Sequence, residues 1–180
     1  MFIPKLSKNP VSSFVLVFLI FALSFTFLVH SLEARAGGVR QKYALVVGIT
    51  EYQHEVLNNL NFPAKDAKAF YELLLDEKIG AFSKDKVTLL TDREATKEAF
   101  DSALAKLVTK AGENDLVVIY YSGHGAQGPD YNADEPDGRD EYYVTYDTDP
   151  TTGASLYRTG YRDDEFADRI KSISSNQVTI

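Results

Sequence analysis

Short apolar runs recur along the chain from residue 43 onward. Three of these runs are rich in β-branched residues and are typical of strands buried on both faces of a sheet: 43–49, 86–91 and 115–121. A fourth run begins at Gln177 and extends to Ile180. The pattern therefore predicts four strands, the last of them at the end of the chain.

The stretches between these runs have the 3.6-residue period of amphipathic helices. Pro63 opens the first one, in the helical turn that tolerates proline, and Thr96 is placed to cap the second, which is expected to end at Gly112. A third helix is predicted from Asp163 to Ile173. Strands that alternate with helices predict an α/β/α sandwich with a mainly parallel central sheet.

The segment between Gly123 and Arg162 follows neither period and is rich in turn-forming and acidic residues. We therefore expect a long loop there, and a loop of that length in a compact domain usually carries function. The chain stops at Ile180 inside an apolar run, whereas a domain usually ends in an exposed segment. We expect the domain to be incomplete, truncated at the start of its fourth strand.

The first 36 residues have the features of an export signal. Lys5 and Lys8 precede an apolar run over 14–29, and Ala34-Arg-Ala36 supplies small residues at the −3 and −1 positions of a cleavage site. The run is shorter than the roughly 20 residues of a spanning helix, although an uncleaved membrane anchor is the alternative. We predict a signal peptide over 1–36 and a secreted or periplasmic mature domain over 37–180, with no membrane attachment after cleavage.

Composition excludes several classes of protein. The net charge is −7, which argues against nucleic acid as a partner because such binders neutralise phosphates with basic groups. The sequence has no cysteine, which excludes a disulfide scaffold and a thiolate zinc site. The 180 residues as written also contain no thiol nucleophile.

The candidate chemistry lies at the end of the third predicted strand. Ligands of open parallel sheets bind at the carboxyl ends of the strands, and here the strand runs directly into Ser122-Gly-His-Gly125. Glycines on both sides would let the backbone turn sharply and present His124 at that edge as a general base. His54 lies in a polar loop, and we interpret it as a surface residue. A serine-hydrolase site at Ser122 is disfavoured, because Tyr120 stands where the nucleophile elbow needs glycine.

Several blocks of the sequence resemble the caspase-like cysteine peptidases, and among them the metacaspase group. The similarity spans about residues 40–180. The blocks are Lys42-Tyr-Ala-Leu-Val-Val-Gly-Ile49, the segment from Leu60 to Asp66-Ala67, Tyr120-Tyr-Ser-Gly-His-Gly125, Asp140-Glu141 and Arg162-Asp-Asp-Glu165.

The resemblance implies a cysteine-type endopeptidase with a Cys–His dyad. The dyad histidine would be His124, and the backbone N–H of Gly125 would contribute to the oxyanion hole. In caspases the histidine precedes the cysteine by about 50 residues, a distance that from His124 reaches the end of this chain. The nucleophile is therefore expected to be missing from the sequence through truncation. The alternative is a non-catalytic caspase-fold interaction or regulatory module.

The resemblance also implies protein or peptide substrates with Arg or Lys at the cleaved position. Asp66 would match an acid of the first specificity pocket, and Ser122 would match a serine of the same pocket. An acid in the first turn of a helix is also explained by the helix dipole, so both interpretations of Asp66 stay open. Phe62 and Pro63 depart from the small residues that the family usually has there.

No cofactor is required by the resemblance, although many metacaspases are activated by calcium. The matching aspartates would be Asp140, Asp163 and Asp164, and oxygen-rich clusters suit this hard cation. A solvated acidic loop is the alternative. The spacing of four nearby residues also fits an EF-hand loop, but Glu135 replaces its glycine, so we reject that motif: Asp130, Asn132, Asp134 and Glu141.

Overall fold

The computed structural model describes residues 38–133 and 135–180. The predicted signal peptide with its cleavage site at Ala34–Ala36, and Asp134 of the rejected EF-hand pattern, lie outside the described residues. The strands are β1 (Lys42–Gly48), β2 (Val87–Thr91), β3 (Leu116–Ser122), β4 (Gly125–Pro129), β5 (Arg139–Tyr143), β6 (Tyr161–Arg162) and β7 (Gln177–Thr179). The helices are α1 (Pro63–Leu75), α2 (Lys97–Lys110), α3 (Gly153–Thr159) and α4 (Asp163–Lys171).

The central sheet is parallel and has the strand order β2-β1-β3-β7. The four strands and the parallel sandwich predicted from the sequence are thus confirmed. Gly48, the last residue of β1, is aligned with Thr91 of β2 and with Ser122 of β3. The carboxyl ends of these three strands therefore form one level edge.

Two apolar layers cover the sheet, because successive side chains of a strand point to opposite faces. Ala44 and Val46 of β1 pack beneath α1 with Ala67 and Leu74. The intervening side chains of β1 pack with α2 and α4 in a larger cluster whose most buried members include Leu45, Val47, Phe100, Leu104 and Val117. Burial of β1 on both faces explains its continuous apolar sequence.

The starts of α1 and α2 agree with the predictions from the sequence. Pro63 occupies the first turn of α1, and the Thr96 side chain accepts a hydrogen bond from the Ala99 N–H, 3.2 Å away, at the start of α2. The Ala64 N–H donates to the Thr50 hydroxyl at 3.1 Å. This contact places the beginning of α1 beside the carboxyl end of β1.

The prediction of a loop over 123–162 was wrong. The segment forms a second, antiparallel sheet of order β4-β5-β6, together with α3. Its strand β4 reads Gly-Ala-Gln-Gly-Pro, a composition with low β-propensity. The strand therefore forms because it pairs with β5, and no local sequence pattern predicts that pairing. Within the described residues, no helix is long and apolar enough to cross a membrane.

Candidate active site

His124 joins the two sheets. It is separated by Gly123 from Ser122, the last residue of β3, and directly precedes Gly125, the first residue of β4, and it is half-buried. The loop after β1 approaches the same place, since the Ile49 N–H donates to the Ser122 carbonyl at 2.9 Å. His124 therefore lies at the carboxyl edge of the parallel sheet, where the sequence predicted it.

The imidazole of His124 is held by a backbone group of the loop after β1. Its Nε2 lies 2.7 Å from the carbonyl oxygen of Asn58. A carbonyl oxygen can only accept, so Nε2 carries the hydrogen in this contact. In the neutral ring the lone pair then resides on Nδ1, and Nδ1 is the atom that can take up a proton.

The backbone N–H of His124 is fixed by Tyr52. It donates to the Tyr52 hydroxyl oxygen at 2.8 Å, and that hydroxyl in turn donates to the Ile49 carbonyl at 3.3 Å. The rings of Tyr52 and His124 also lie against each other, with centroids 5.0 Å apart. Burial raises the pKa of Tyr52 above the ordinary value of about 10, at which a phenol is already protonated at neutral pH.

The backbone carbonyl of His124 is fixed by a second tyrosine. The Tyr121 hydroxyl lies 2.9 Å from the His124 carbonyl oxygen and 2.9 Å from the Val144 carbonyl oxygen, so one phenolic hydrogen serves two acceptors. The Val144 N–H also donates to His124, at 3.1 Å. Burial raises the pKa of Tyr121 further above neutral pH.

Gly123 is required by close approach and not by an unusual turn. Neither Gly123 nor Gly125 has a positive φ, contrary to the sharp turn expected from the sequence. A Cβ at position 123 would lie 2.8 Å from the Tyr121 hydroxyl and 3.0 Å from the Tyr52 hydroxyl. A side chain there would displace the two groups that hold His124.

The backbone N–H and C=O groups of Gly125 are directed away from β5. Val144 donates to His124, and Asp130 donates to Gly138, so even-numbered positions from 124 to 130 bond to the β5 side. Alternate residues of an antiparallel pair direct their N–H and C=O groups to opposite sides. The N–H of Gly125, next to His124, is therefore directed to the free side of β4.

The two candidate pocket residues lie at the same edge. Ser122 ends β3 and is half-buried, while Asp66 lies in the first turn of α1, beside the end of β1. The Asp66 side chain is exposed to solvent. The reason is geometric, because Ala64 and Ala67 point to the sheet and leave position 66 on the solvent side of the helix.

The candidate calcium ligands lie at one end of the second sheet. Asp140 on β5 is buried and accepts a hydrogen bond from the Tyr142 hydroxyl at 3.2 Å, while Asp163 and Asp164 form the first turn of α4. In the part of the chain that the structure describes, no three His, Cys, Asp or Glu side chains converge as a metal site would require. Calcium binding by Asp140, Asp163 and Asp164 stays a prediction.

His54 lies in the loop after β1 and is partly exposed to solvent. One further residue was missed by the sequence analysis. Asp92 was not singled out, yet its carboxylate accepts N–H bonds from Thr50 at 2.8 Å and from Glu51 at 3.1 Å and so anchors the loop that carries Tyr52. No motif signals these contacts, since they join segments that are distant in sequence.

A cavity of about 720 Å³ lies apart from His124, between α2 and α4. Asp101 and Arg169, which form an ion pair of 2.8 Å, line this cavity. None of the predicted site residues lines this cavity. The candidate active site is instead the open edge around His124.

The comparisons with known proteins agree with this arrangement. The family model of the caspase domain, peptidase C14, matches residues 41–173. Metacaspase-1 of Arabidopsis thaliana is 36% identical over 109 residues, which are 56% of this chain and 28% of that protein. Metacaspase-1 of Saccharomyces cerevisiae is 32% identical over 116 residues, 60% of this chain and 26% of that protein.

A solved structure supports the fold independently. A structural-genomics crystal structure of a protein from Geobacter sulfurreducens superimposes with a TM-score of 0.60 at 27% identity, covering 77% of this chain and 47% of that one. The chain spans only about a quarter of the length of the curated relatives named above. The match of the family model to most of the chain shows that it belongs to the caspase-like C14 peptidases, in the metacaspase group.

Proposed function

We propose that the protein is a cysteine-type endopeptidase in which His124 is the general base of a Cys–His dyad. The observation that carries the proposal is the 2.7 Å contact between His124 Nε2 and the Asn58 carbonyl oxygen, at the carboxyl edge of the sheet. This contact leaves Nδ1 as the proton acceptor and holds the ring in one orientation. The 180 residues contain no cysteine, so the thiol would come from sequence outside them.

The proposed reaction uses each polar group in turn. His124 Nδ1 takes the thiol proton, and the thiolate sulfur attacks the carbonyl carbon of the scissile peptide bond. The Gly125 N–H donates to the carbonyl oxygen as it becomes an oxyanion. The imidazolium then gives its proton to the departing amine, which leaves a thioester that water hydrolyses with His124 again acting as base.

Fixation of His124 is what the surrounding tyrosines contribute. A general base is effective when its position relative to the reacting group is set before the reaction. Tyr52 holds the backbone N–H of His124, and Tyr121 holds its carbonyl. The imidazole therefore extends from a backbone that is constrained on both sides.

The test is hydrolysis of fluorogenic peptides by the full-length gene product. We expect turnover that requires His124 and that a thiol-alkylating reagent abolishes. Turnover that is insensitive to alkylation would contradict a cysteine nucleophile. Absence of turnover in the folded full-length protein would favour the second candidate function below.

For specificity, we propose cleavage after Arg or Lys, with Asp66 and Ser122 lining the pocket for that side chain. Both residues lie at the edge that carries His124. An exposed carboxylate at Asp66 is accessible to an incoming cation and would repel an acidic side chain. Comparison of matched Arg, Lys and Asp peptides tests the preference.

For activation, we propose calcium as an optional effector that binds near Asp140, Asp163 and Asp164. The buried carboxylate of Asp140 is close in register to the first turn of α4, because Tyr142 of β5 pairs with Arg162 of β6. No step of the reaction uses the ion. Isothermal titration with calcium chloride, for the wild-type protein and for Asp140→Asn, tests the binding.

For localisation, we propose export with removal of residues 1–36. The Ala34-Arg-Ala36 motif behind a short apolar run supports this proposal. N-terminal sequencing of the exported protein tests it, and Gly37 is the expected first residue. An intact N-terminus in the membrane fraction would support the anchor.

A non-catalytic caspase-fold module is the second candidate function. The lack of cysteine in these 180 residues is the observation that favours it. Such a protein would keep the fold and the His124 contacts but would neither turn over peptides nor react at a dyad thiol. The alkylation and turnover measurements above separate the two functions.

A further inference from the structure

We propose that Phe62 is a specificity-determining residue whose ring stacks on the guanidinium of the substrate arginine that Asp66 binds, so that Arg is favoured over Lys at the cleaved position. The inference rests on the proposed function, because it needs Asp66 to receive the basic side chain. It concerns what this chain adds to the pocket, since Phe62 stands where the family usually has a small residue.

The start of α1 lies directly on the edge that carries His124. Gly48 ends β1 and is aligned with Ser122 of β3. A Cβ built on Gly48 would collide with the carbonyl oxygen of Pro63, so the backbone at the start of α1 packs against this end of the sheet. Phe62 directly precedes Pro63 and is therefore placed at the same edge.

Phe62 and Asp66 are one helical turn apart. The Asp66 N–H donates to the Phe62 carbonyl oxygen at 2.8 Å, as in an α-helix. Side chains with this spacing are neighbours, with Cβ atoms about 5–6 Å apart, and helical side chains tilt toward the N-terminus of their helix. The Asp66 carboxylate is therefore directed toward the turn that Phe62 begins, and both side chains are exposed.

Neither core packing nor helix capping explains a phenylalanine at this position. Phe62 is 63% exposed, whereas Phe100 and Phe166 are buried in the core. The residue before a helix usually bonds to a free N–H through a polar side chain, as Thr96 does for α2, but Phe62 makes no such bond. The ring is thus accessible at a position where a polar residue would stabilise the helix better.

The ring of Phe62 is not covered by a cation of the described residues. Among these residues, several cationic groups do lie over aromatic rings, at 5.1–6.0 Å from the ring centroid: Lys42, Lys86, Lys97 and Arg162. None of those rings belongs to Phe62. Its face is therefore open to a cation that comes from a bound substrate.

The chemistry of the two groups selects arginine. A carboxylate attracts either basic side chain, so Asp66 alone separates basic from neutral substrates. The guanidinium is planar and weakly hydrated, and it can bond to a carboxylate through its edge while it stacks on a ring through its face. The ammonium of lysine is compact and strongly hydrated, and it gains less from the ring. Phe62 therefore adds the preference for Arg over Lys.

The principal test changes the electrons of the ring and keeps its shape. Phe62 is replaced in the full-length protein by phenylalanines with one, two or three ring fluorines, which weaken the negative potential of the ring face in steps. We expect kcat/KM for a fluorogenic arginine peptide to fall along the series to about 2- to 5-fold below wild type, with a smaller fall for the matched lysine peptide. A fluorinated ring is no less apolar, so values that stay constant or rise along the series would overturn the inference.

A second test removes the ring. Phe62→Leu keeps an apolar side chain, Phe62→Tyr keeps an aromatic face, and Leu73→Ala is the matched control because Leu73 is an exposed apolar residue farther along α1. The arginine peptide should lose about 2- to 5-fold in kcat/KM in Phe62→Leu, with a smaller loss for the lysine peptide, and neither peptide should change in the other two variants. Thermal unfolding confirms that the variants are folded. An equal ratio of arginine to lysine cleavage in folded Phe62→Leu and wild type would contradict the proposal.

The two levels of proposal fail differently. If the wild-type protein cleaves no peptide after Arg or Lys, the proposed specificity and this inference both fall. If it cleaves after both residues and the fluorine series has no effect, the proposed function stands and Phe62 is excluded as the residue that favours arginine.

Discussion

The Nε2 atom of His124 lies 2.7 Å from the carbonyl oxygen of Asn58, a residue 66 positions earlier in the chain. The contact joins the loop after β1 to the junction of β3 and β4. It assigns the hydrogen of the neutral imidazole to Nε2 and leaves Nδ1 for proton transfer. The contact uses only the backbone of Asn58, so it depends on the path of the loop and not on the residue type at this position.

Replacement of His124 by alanine is expected to lower kcat of the full-length protein about 10²- to 10⁴-fold, the usual contribution of a positioned general base. The measurement is hydrolysis of a fluorogenic arginine peptide. His54→Ala is the matched control, because His54 is the other histidine of the described residues and has no role in the proposed reaction. An equal loss in both variants would indicate a structural effect and not base catalysis.

Tyr52→Phe is expected to lower kcat about 3- to 10-fold with little change in KM. The substitution keeps the ring that packs on His124 but removes the oxygen that accepts the His124 N–H at 2.8 Å, and one hydrogen bond contributes about 0.5–1.5 kcal/mol net. The His124 amide should also exchange faster with solvent. Tyr71→Phe, on α1, serves as control, and an unchanged His124 amide in Tyr52→Phe would contradict the assigned role.

Gly123→Ala and Gly125→Ala should differ in stability. The new Cβ at position 123 would lie 2.8 Å from the Tyr121 hydroxyl, whereas at position 125 the nearest atom is 3.7 Å away. Overpacking of this kind costs about 1–3 kcal/mol of unfolding free energy. Urea unfolding of both variants measures the difference, and equal midpoints would show that the tyrosines move aside without cost.

Asp66→Asn should reduce the preference for arginine over neutral substrates by up to about 10-fold. The carboxylate is exposed in the free protein, so only part of the roughly 1.5–3 kcal/mol of a charged hydrogen bond is available. Glu72→Gln is the matched control, since Glu72 is an exposed acid farther along α1. An unchanged preference in Asp66→Asn would leave Asp66 as a helix-terminus acid.

The ion pair between Asp101 and Arg169 predicts a pH dependence of stability. Burial alone would raise the pKa of Asp101, but hydrogen bonds from Arg169 and Tyr161 outweigh it and hold that pKa below its usual value. A depressed carboxyl pKa stabilises the fold above the unfolded-state pKa of about 3.9, and the stabilisation is lost as the pH falls through the folded-state pKa.

The expected size of this effect is small, because both side chains are about 40% exposed: 41% for Arg169 and 39% for Asp101. Asp101→Asn should therefore lower the unfolding free energy by about 0.5–1 kcal/mol at pH 7 and by less at pH 3. Urea unfolding at the two pH values checks the prediction. Asp168→Asn, at the weaker 3.5 Å pair with Lys171, is the control.

Most of the central sheet could be predicted from the sequence because its signals are local. β1 is apolar from Tyr43 onward because its residues from Ala44 to Gly48 are buried, and Pro63 and Thr96 mark helix starts through the geometry of the first turn. The position of His124 at the end of β3 follows from the same pattern. The second sheet could not be predicted, since β4 is short and glycine-rich and forms only by pairing with β5.

The sequence by itself determined the layered α/β fold, the family and the place of His124, because repeating apolar positions and a contiguous motif encode them. Only the tertiary structure decided how that histidine is held. The Asn58 carbonyl is a backbone group with no residue signature, and the Tyr52 hydroxyl meets the His124 N–H only when β1 and β3 lie side by side. The Tyr121 hydroxyl, although near His124 in sequence, also bonds to the Val144 carbonyl, which only the tertiary structure brings there. Side-chain burial is likewise decided in three dimensions, and so Asp66 is exposed although it lies in the first turn of a helix packed on the sheet.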